Sequence, residues 1–411
     1  MTVEHFVGLM SGTSLDGVDG VVVAIEPREG NTLGMADSVN VSIEAHCHSP
    51  MPAPLKETLL HCQRGEPIHI QVLCALDNTL GEWFGDAAFN LLRQWGGDTS
   101  TVVAVGSHGQ TVGHYPNAHA SCQLGNPSVI ATKTGLPVVS HFRQGDLAVG
   151  GQGAPLVPWV DAILYSHETV PRYLINIGGM ANVTWVPPRS GYAQQPVWEW
   201  PLVAMDTGPG NVWMDAACQQ LFNKPYDTHG ALAAHGSVSN ALLMALLQEA
   251  TIAEFLAKPA PKSTGRDVFS VSVLEAILDL FAASVSPHDV VATLTHFTAQ
   301  TIANGLQQLA VHQGIQTEAA EIWVTGGGAF NSTLMQALKN ALGIALPKGV
   351  LNVGDPLGYP PQHKEPLAFA LLAWARWQAL PGNNAFATGA TKATPLGAVW
   401  LPPFFKLKPQ V

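Results

Sequence analysis

The chain opens with two short apolar runs, Phe6-Val7 and Val21-Val22-Val23-Ala24-Ile25, held apart by a glycine- and hydroxyl-rich stretch from Gly8 to Asp19. Runs of that length bounded by turn residues predict a strand, a tight loop and a second strand, over 3–10 and 18–25. A further strand is predicted over 39–47, followed by helices over 54–63 and 68–95. In the longer helix Leu73, Leu76, Leu80, Phe84, Ala87, Ala88 and Leu91 recur at spacings of three and four. Thr101 to Gly106 predicts a parallel strand that ends in Ser107-His108-Gly109-Gln110-Thr111. Three strands, a helix and a parallel strand make one α/β unit.

The same plan returns later without sequence identity between the halves. Residues 172–177 read as a buried strand, Gly178-Gly179 as a turn and 181–186 as the return strand; a third strand at 203–205, a helix at 212–222 and a strand at 321–325 follow, the last running into Gly326-Gly327-Gly328. Two such hairpins would hold a polyphosphate from both sides. The stretch 187–201, rich in Pro, Gln and Trp, reads as a surface excursion. Helical patterns at 239–257, 271–283, 290–312 and 363–379 and a last strand at 397–401, expected to return to the first domain, complete the chain. With 411 residues and 47 % apolar content, two cores are expected. The predicted division is 1–135 plus 381–411 against 136–380, with the glycine-rich stretch 145–153 as a hinge.

Composition narrows the partners. The 19 Lys and Arg against 30 Asp and Glu leave a formal charge of −11, the wrong sign for a nucleic-acid binder. Five cysteines with no Cys-x-x-Cys pair argue against a disulfide framework and a zinc site, and the sixteen histidines are scattered without ligand spacing. With no basic, apolar leader and no run of about 20 apolar residues, a cytoplasmic protein without a membrane partner is expected.

Several segments carry candidate chemistry. In Gly12-Thr13-Ser14-Leu15-Asp16-Gly17-Val18-Asp19, glycines let the backbone approach a ligand, hydroxyls and N–H groups supply donors, and carboxylates stand at the exit, a combination suited to a phosphate with a divalent cation. An ordinary hairpin turn is the alternative. Asp206, in Asp206-Thr207-Gly208-Pro209-Gly210-Asn211, follows an apolar run and precedes a helix. It stands either as a general base at a strand's ligand edge or as a cap on the helix starting near Pro209. Arg143 and Asp146 lie beside the glycines of 150–153, as a phosphoryl or acid clamp or as a plain ion pair. Gly326 to Asn331 fits a flat adenine ring or a tight connection. His108 reads as an acid–base group or a hydrogen-bonding loop residue. Lys262 and Arg266 form a compact basic pair next to Gly265, in a segment that otherwise reads as solvated loop.

Together these motifs resemble the anhydro-N-acetylmuramic acid kinases, a branch of the sugar kinase, Hsp70 and actin superfamily. The likeness runs nearly end to end: 8–19, 106–111, Phe142-Arg143 with Asp146, 150–158, Asn176 to Asn182, Asp206 to Asn211, Lys262 to Arg266, Gly326 to Asn331, and Glu365 in Glu-Pro-Leu-Ala-Phe-Ala. The resemblance implies an α/β fold of two ribonuclease-H-like, actin-like ATPase domains around a central cleft. It implies ATP and Mg²⁺ as cofactors, 1,6-anhydro-N-acetylmuramic acid as sugar, and a homodimer. The implied reaction opens the anhydro bridge with water and phosphorylates O6, returning a cell-wall turnover product to metabolism.

By position, Asp206 matches the catalytic base. ATP would contact Gly12, Thr13, Ser14, Leu15, Asp16, Gly17, Val18 and Asp19 on one hairpin, Asn176, Gly178, Gly179 and Asn182 on the other, and Gly326, Gly327, Gly328 and Asn331 at adenosine. Asp16 or Asp19 would hold Mg²⁺ through water, and His108, Gln110, Arg143, Asp146 and Glu365 would line the sugar side. A kinase for another anhydro sugar and a non-catalytic actin-like nucleotide-binding module are the alternatives.

Overall fold

A computed structural model of the chain describes residues 3–12, 14–63, 66–260, 262–265, 268–314 and 319–403. The chain divides into two compact units. The first takes in the chain up to Leu164, Tyr192–Pro201 and the chain from Gln362 on; the second takes in Tyr165–Gly191 and Leu202–Pro361. Six strands come first: β1 (Glu4–Ser11), β2 (Gly17–Pro27), β3 (Val39–Pro50), β4 (Val102–Tyr115), β5 (Ala120–Leu124) and β6 (Val138–Ser140). The second unit holds β7 (Arg172–Ile177), β8 (Met180–Val186), β9 (Val203–Pro209), β10 (Ala320–Thr325) and β11 (Gly349–Val353). β12 (Ala398–Trp400) returns to the first.

The first sheet runs β12-β6-β4-β1-β2-β3, with β5 paired to β4. β1, β4 and β6 are parallel, while β2 runs against both β1 and β3. The second sheet, β11-β10-β7-β8-β9, repeats that pattern with β8 as the reversed strand. This is the ribonuclease-H-like order, present twice in a mixed α/β chain.

Alternation along β1 explains how the first sheet is covered. Val7 and Leu9 face the helix Ile70–Trp95 and pack with its Leu80, Phe84, Ala88 and Leu91. Gly8, between them, faces the opposite way toward the helix Lys364–Trp377, whose Pro366 to Ala375 are all buried. A Cβ at Gly8 would run into the Pro366 carbonyl, and one at Gly106 of β4 into that of Phe369. The helix that carries Glu365 therefore lies directly on the backbone of two strands. In the second unit the helix Pro287–Gln313 fills the core with Val291, Leu294, Phe297, Ile302 and Leu306, against Ile175, Val183, Met205 and Trp213. Among the described residues no single helix is long and apolar enough to cross a membrane.

Four expectations change. β4 does not end at Gly106 but continues to Tyr115, because β5 pairs with its second half; His108 and Gln110 are thus strand residues. The expected division at 136 and 381 differs from the observed units, since β6 pairs with β4 and β12 and the helix Lys364–Trp377 lies on β1 and β4. Periodicity identified those elements but not their partners. Residues 192–201 are not a surface excursion: Val197 and Trp200 are buried, Val197 N–H donates to Gly34 O at 2.9 Å, and Asn384 Nδ2 reaches the carbonyls of Val197, Trp198 and Trp200. The stretch 145–153 is no joint either. Phe142–Ala148 is a short helix, and Gln152 N–H and Val149 O are bonded to Thr388 and Thr391 of the same unit.

Candidate active site

In the first unit β1 and β2 are joined by a short turn whose described residues divide between core and solvent. Leu15 adopts a positive φ of 57° and buries its side chain beside Val18, so only its backbone faces the turn. Ser14 and Asp16 are exposed. Thr13 lies outside the described residues. The turn is held from beneath by Gln110, whose Nε2 donates to Gly12 O at 3.2 Å and whose Oε1 lies 2.7 Å from Ser11 Oγ; Ser11 Oγ also stands 2.9 Å from Gly17 O. Gln110 is fully buried. It shapes the turn rather than reaching a ligand in this conformation.

Beyond the turn, Asp19 Oδ1 sits 2.8 Å from His48 Nδ1, and Asp16 has Lys56 Nζ at 3.9 Å. Among the described residues no group of three or more His, Cys, Asp or Glu is placed to cage a metal. The accessible carboxylates of Asp16 and Asp19 instead suit an ion that keeps its waters and takes most of its other ligands from phosphate, the habit of Mg²⁺.

His108, Arg143, Asp146 and Glu365 also belong to the first unit. Arg143 Nε donates to His108 Nε2 at 3.2 Å, and its Nη1 donates to Gly153 O at 2.8 Å. Burial lowers the Arg143 pKa to about 10, with Glu365 and Asp146 acting against that, so the guanidinium stays charged at neutral pH. Burial, aided by the Arg143 charge, pushes His108 well below its ordinary value. Asp146 is fully buried: Oδ2 accepts from Gly153 N–H at 2.7 Å, and Oδ1 accepts from Asn383 Nδ2 at 2.6 Å and Thr388 Oγ1 at 2.7 Å. Expected at the sugar, it is instead the post on which the Gly151–Gly153 turn is built. Glu365 reaches solvent, yet the protein around its carboxyl raises its pKa while Arg143 and Lys364 oppose the rise. Lys364 is itself paired with buried Asp161 at 3.0 Å.

In the second unit, strand register lines up four polar side chains. Thr325 pairs with Asn176, Asn176 with Asn182, and Asn182 with Asp206. Directly opposed residues project from one face, so β10, β7, β8 and β9 together present Thr325, Asn176, Asn182 and Asp206 as a row. The Gly178-Gly179 turn beside it receives the N–H groups of Gly210, Asn211 and Val212 on its carbonyls at 2.8 to 3.1 Å, which seats the helix Val212–Phe222 against the hairpin. Gly326, at φ 86°, passes so close to β7 that a Cβ would meet Ile177 O and Asn176 Oδ1. Asn331 does not offer its Oδ1 to a ligand; it caps the helix Ser332–Ala345 by accepting from Leu334 N–H at 2.9 Å.

Asp206 does not cap the following helix, which starts after Asn211. Its own N–H donates to Lys262 O at 2.9 Å, and its Oδ2 accepts from Thr264 N–H at 2.7 Å. Burial raises its pKa to about 6, the Thr264 bond holding the rise back. Lys262 is not a solvated loop residue: it is 9 % exposed. Arg266 lies outside the described residues. The Thr264 contact and the Asn383 and Thr388 bonds to Asp146 have no signature in the sequence. They join residues 58 to 242 positions apart, and no local spacing announces them.

Known proteins resemble this chain along nearly its whole length. The family model described as anhydro-N-acetylmuramic acid kinase matches residues 4–402. A curated protein of that name from Vibrio cholerae is 38 % identical over 401 residues, covering 97 % of this chain and 99 % of its own, and one from Acaryochloris marina is 39 % identical over 404 residues, covering 97 % and 100 %. A solved structure of component A of the Acidaminococcus fermentans (R)-2-hydroxyglutaryl-CoA dehydratase is 11 % identical with a TM-score of 0.42, covering 90 % of this chain and 96 % of its own. The full-length family match, on a chain with two ribonuclease-H-like sheets and the polar row ending in Asp206, shows that this chain belongs to the anhydro-N-acetylmuramic acid kinase family.

Proposed function

We propose that the protein uses ATP to convert 1,6-anhydro-N-acetylmuramic acid to N-acetylmuramic acid 6-phosphate, opening the ring with water as it phosphorylates O6. The observation that carries this reading is Asp206: a partly buried carboxylate midway along β9, in register with Asn176 near the C-terminal end of β7, oriented by one backbone N–H, with its pKa brought to about 6. A base that titrates just below neutral pH is deprotonated in use yet still basic enough to take a proton. Asp206 accepts the proton of water as the oxygen bonds to C1, and the C1–O6 bond breaks. O6 then attacks the γ-phosphorus and ADP leaves. Capture by phosphorus neutralises the charge that would otherwise build on O6, so the leaving oxygen needs no separate proton donor.

The remaining roles follow from exposure. The exposed turn around Ser14 and Asp16 and the Gly178-Gly179 turn serve the phosphates, Asn176 and Asn182 stand in the row beside Asp206, and of the three glycines after β10 the exposed Gly327 offers its backbone to adenosine. Asp19 and Asp16 would hold hydrated Mg²⁺, which when bound would screen phosphate charge. Arg143 and Glu365 face the sugar, whose carboxylate suits the guanidinium; His108, Gln110 and Asp146 stand behind them. In cells such an activity would recover a cell-wall fragment. The test is incubation with ATP, Mg²⁺ and the anhydro sugar in ¹⁸O-water, read by mass spectrometry. A 6-phosphate carrying ¹⁸O at C1 is expected; a phosphorylated sugar that keeps its anhydro ring, or no product where nucleotide binding is measurable, overturns the reading.

A further inference from the structure

β9 is the edge strand of the second sheet, and among the described residues the segment 262–264 meets that edge at Asp206, through the Asp206 N–H to Lys262 O bond and the Thr264 N–H to Asp206 Oδ2 bond. A short strap held by two bonds stays in place only if it is anchored elsewhere. The anchor is the Lys262 ammonium, which runs back into the protein and donates to Phe255 O at 3.3 Å, Leu256 O at 3.0 Å and Gln308 Oε1 at 3.3 Å, 4.9 Å from the centre of the Phe255 ring. Phe255 and Leu256 end the helix Ala250–Ala257, whose last carbonyls form its negative pole. Gln308, on the helix Pro287–Gln313, also donates to Leu256 O at 3.1 Å.

We infer that Lys262 is a positioning residue for Asp206: by pinning 262–264 to the last turn of one helix and to a side chain of another it keeps the Thr264 N–H on Oδ2 and leaves Oδ1 to face the reacting water. The inference rests on the reading of Asp206 as base. Burial and the Thr264 bond set the Asp206 pKa, and the Lys262 charge is not among its causes, so the effect passes through the backbone. All three acceptors of the ammonium are uncharged, and burial lowers the Lys262 pKa. Among the described residues no carboxylate pairs with it, and a buried cation held only by neutral acceptors is costly for stability alone, which favours a role in holding the strap.

The experiment compares Lys262→Met, Lys262→Arg and Gln308→Leu with the parent protein. Met keeps the apolar stem and removes the three donors. A loosened strap weakens the Thr264 bond, so the acid limb of kcat moves to higher pH by about one unit, the value of a hydrogen bond to a charged group. KM for ATP stays at the parent value, turnover recovers at alkaline pH, and Lys262→Arg restores the parent limb. Gln308→Leu, which keeps the lysine and removes one acceptor, shifts the limb the same way by less, and it carries the test if Lys262→Met does not fold. A ¹³C titration of the Asp206 carboxyl reads the same shift without substrate. An unmoved limb in folded Lys262→Met, or in Gln308→Leu if that is the folded variant, overturns the inference. Parent-like turnover in Asp206→Asn instead overturns the base reading beneath it.

Discussion

Arg143 Nε donates to His108 Nε2 at 3.2 Å, and that bond settles where the histidine keeps its proton. With Nε2 accepting, the proton sits on Nδ1 and is donated to Gly109 O at 2.8 Å. Burial and the Arg143 charge hold the folded pKa well below the ordinary 6.5. His108 is therefore a neutral acceptor that aims a guanidinium, and not an acid at working pH.

A stability prediction follows from that depressed pKa. In the unfolded chain the imidazole titrates near 6.5. Between that value and the lower folded one, the unfolded state binds more protons, so stability falls as pH drops through the window. His108→Gln should show a shallower acid loss of Tm than the parent between pH 7 and 5. Part of the slope remains, because burial also lowers His114 and His141. A loss of Tm as steep as the parent's would show that His108 can take up its proton in place.

Asp206 carries the opposite sign. Its folded pKa, about 6, lies above the ordinary value of 3.8, so the folded state binds more protons between the two and stability falls as pH rises through that window. Above it the folded protein bears a partly buried charge at full cost. Asp206→Asn should therefore raise stability at pH 7 by on the order of 1 kcal/mol, allowing for solvent at the half-buried side chain, and the gain should fade toward pH 4. The same substitution should lower turnover by at least about a hundredfold with ATP affinity retained. Denaturant midpoints at the two pH values, with nucleotide binding by calorimetry, check both halves. A destabilised variant at pH 7 would mean that the carboxylate's bond to Thr264 outweighs its burial.

Local signals in the sequence went a long way here. The apolar runs located β1 to β3 and β7 to β9, and the three–four repeat located the helix Ile70–Trp95. Turn glycines marked both hairpins, and Asp206 stood out because a carboxylate closing an apolar run is unusual. Partnership was not legible. Nothing near Val138 says that β6 pairs with β4, and nothing in Pro196-Val197-Trp198 says that its carbonyls meet Asn384. A motif names its polar residues but does not state which way each side chain turns. Gln110 and Asp146 turn inward, where their bonds hold the turns that the motif's glycines form.

Gly8 and Gly106 lend themselves to a packing test. Each lies where a Cβ would strike a carbonyl of the helix Lys364–Trp377, and neither the strands nor that helix, buried from Pro366 to Ala375, has room to yield. Gly106→Ala should cost at least about 2 kcal/mol, as overpacking of a close contact does. It should also impair turnover beyond the stability loss, because the displaced helix begins at Lys364 and carries Glu365. Chemical unfolding and steady-state kinetics at low temperature separate the effects. Parent-like stability in Gly106→Ala would show that the helix can shift freely on the sheet.

Asp146 separates a structural role from a sugar contact. Its oxygens accept from Gly153 N–H, Asn383 Nδ2 and Thr388 Oγ1 inside the first unit. Asp146→Ala leaves those buried donors unpaired, and hydrogen bonds to a charged acceptor are worth about 1.5–3 kcal/mol each, so a loss of at least about 3 kcal/mol is expected. Asp146→Asn is the sharper variant. Its carbonyl can still accept from Asn383 and Thr388, but its NH₂ then points at Gly153 N–H, donor against donor, and the Gly151–Gly153 turn should come away. Arg143 loses the Gly153 carbonyl with it. Both variants should therefore unfold at lower denaturant, while the remaining folded enzyme keeps a KM for ATP near the parent's. Full stability in Asp146→Asn together with a raised KM for the sugar alone would instead return this carboxylate to the substrate.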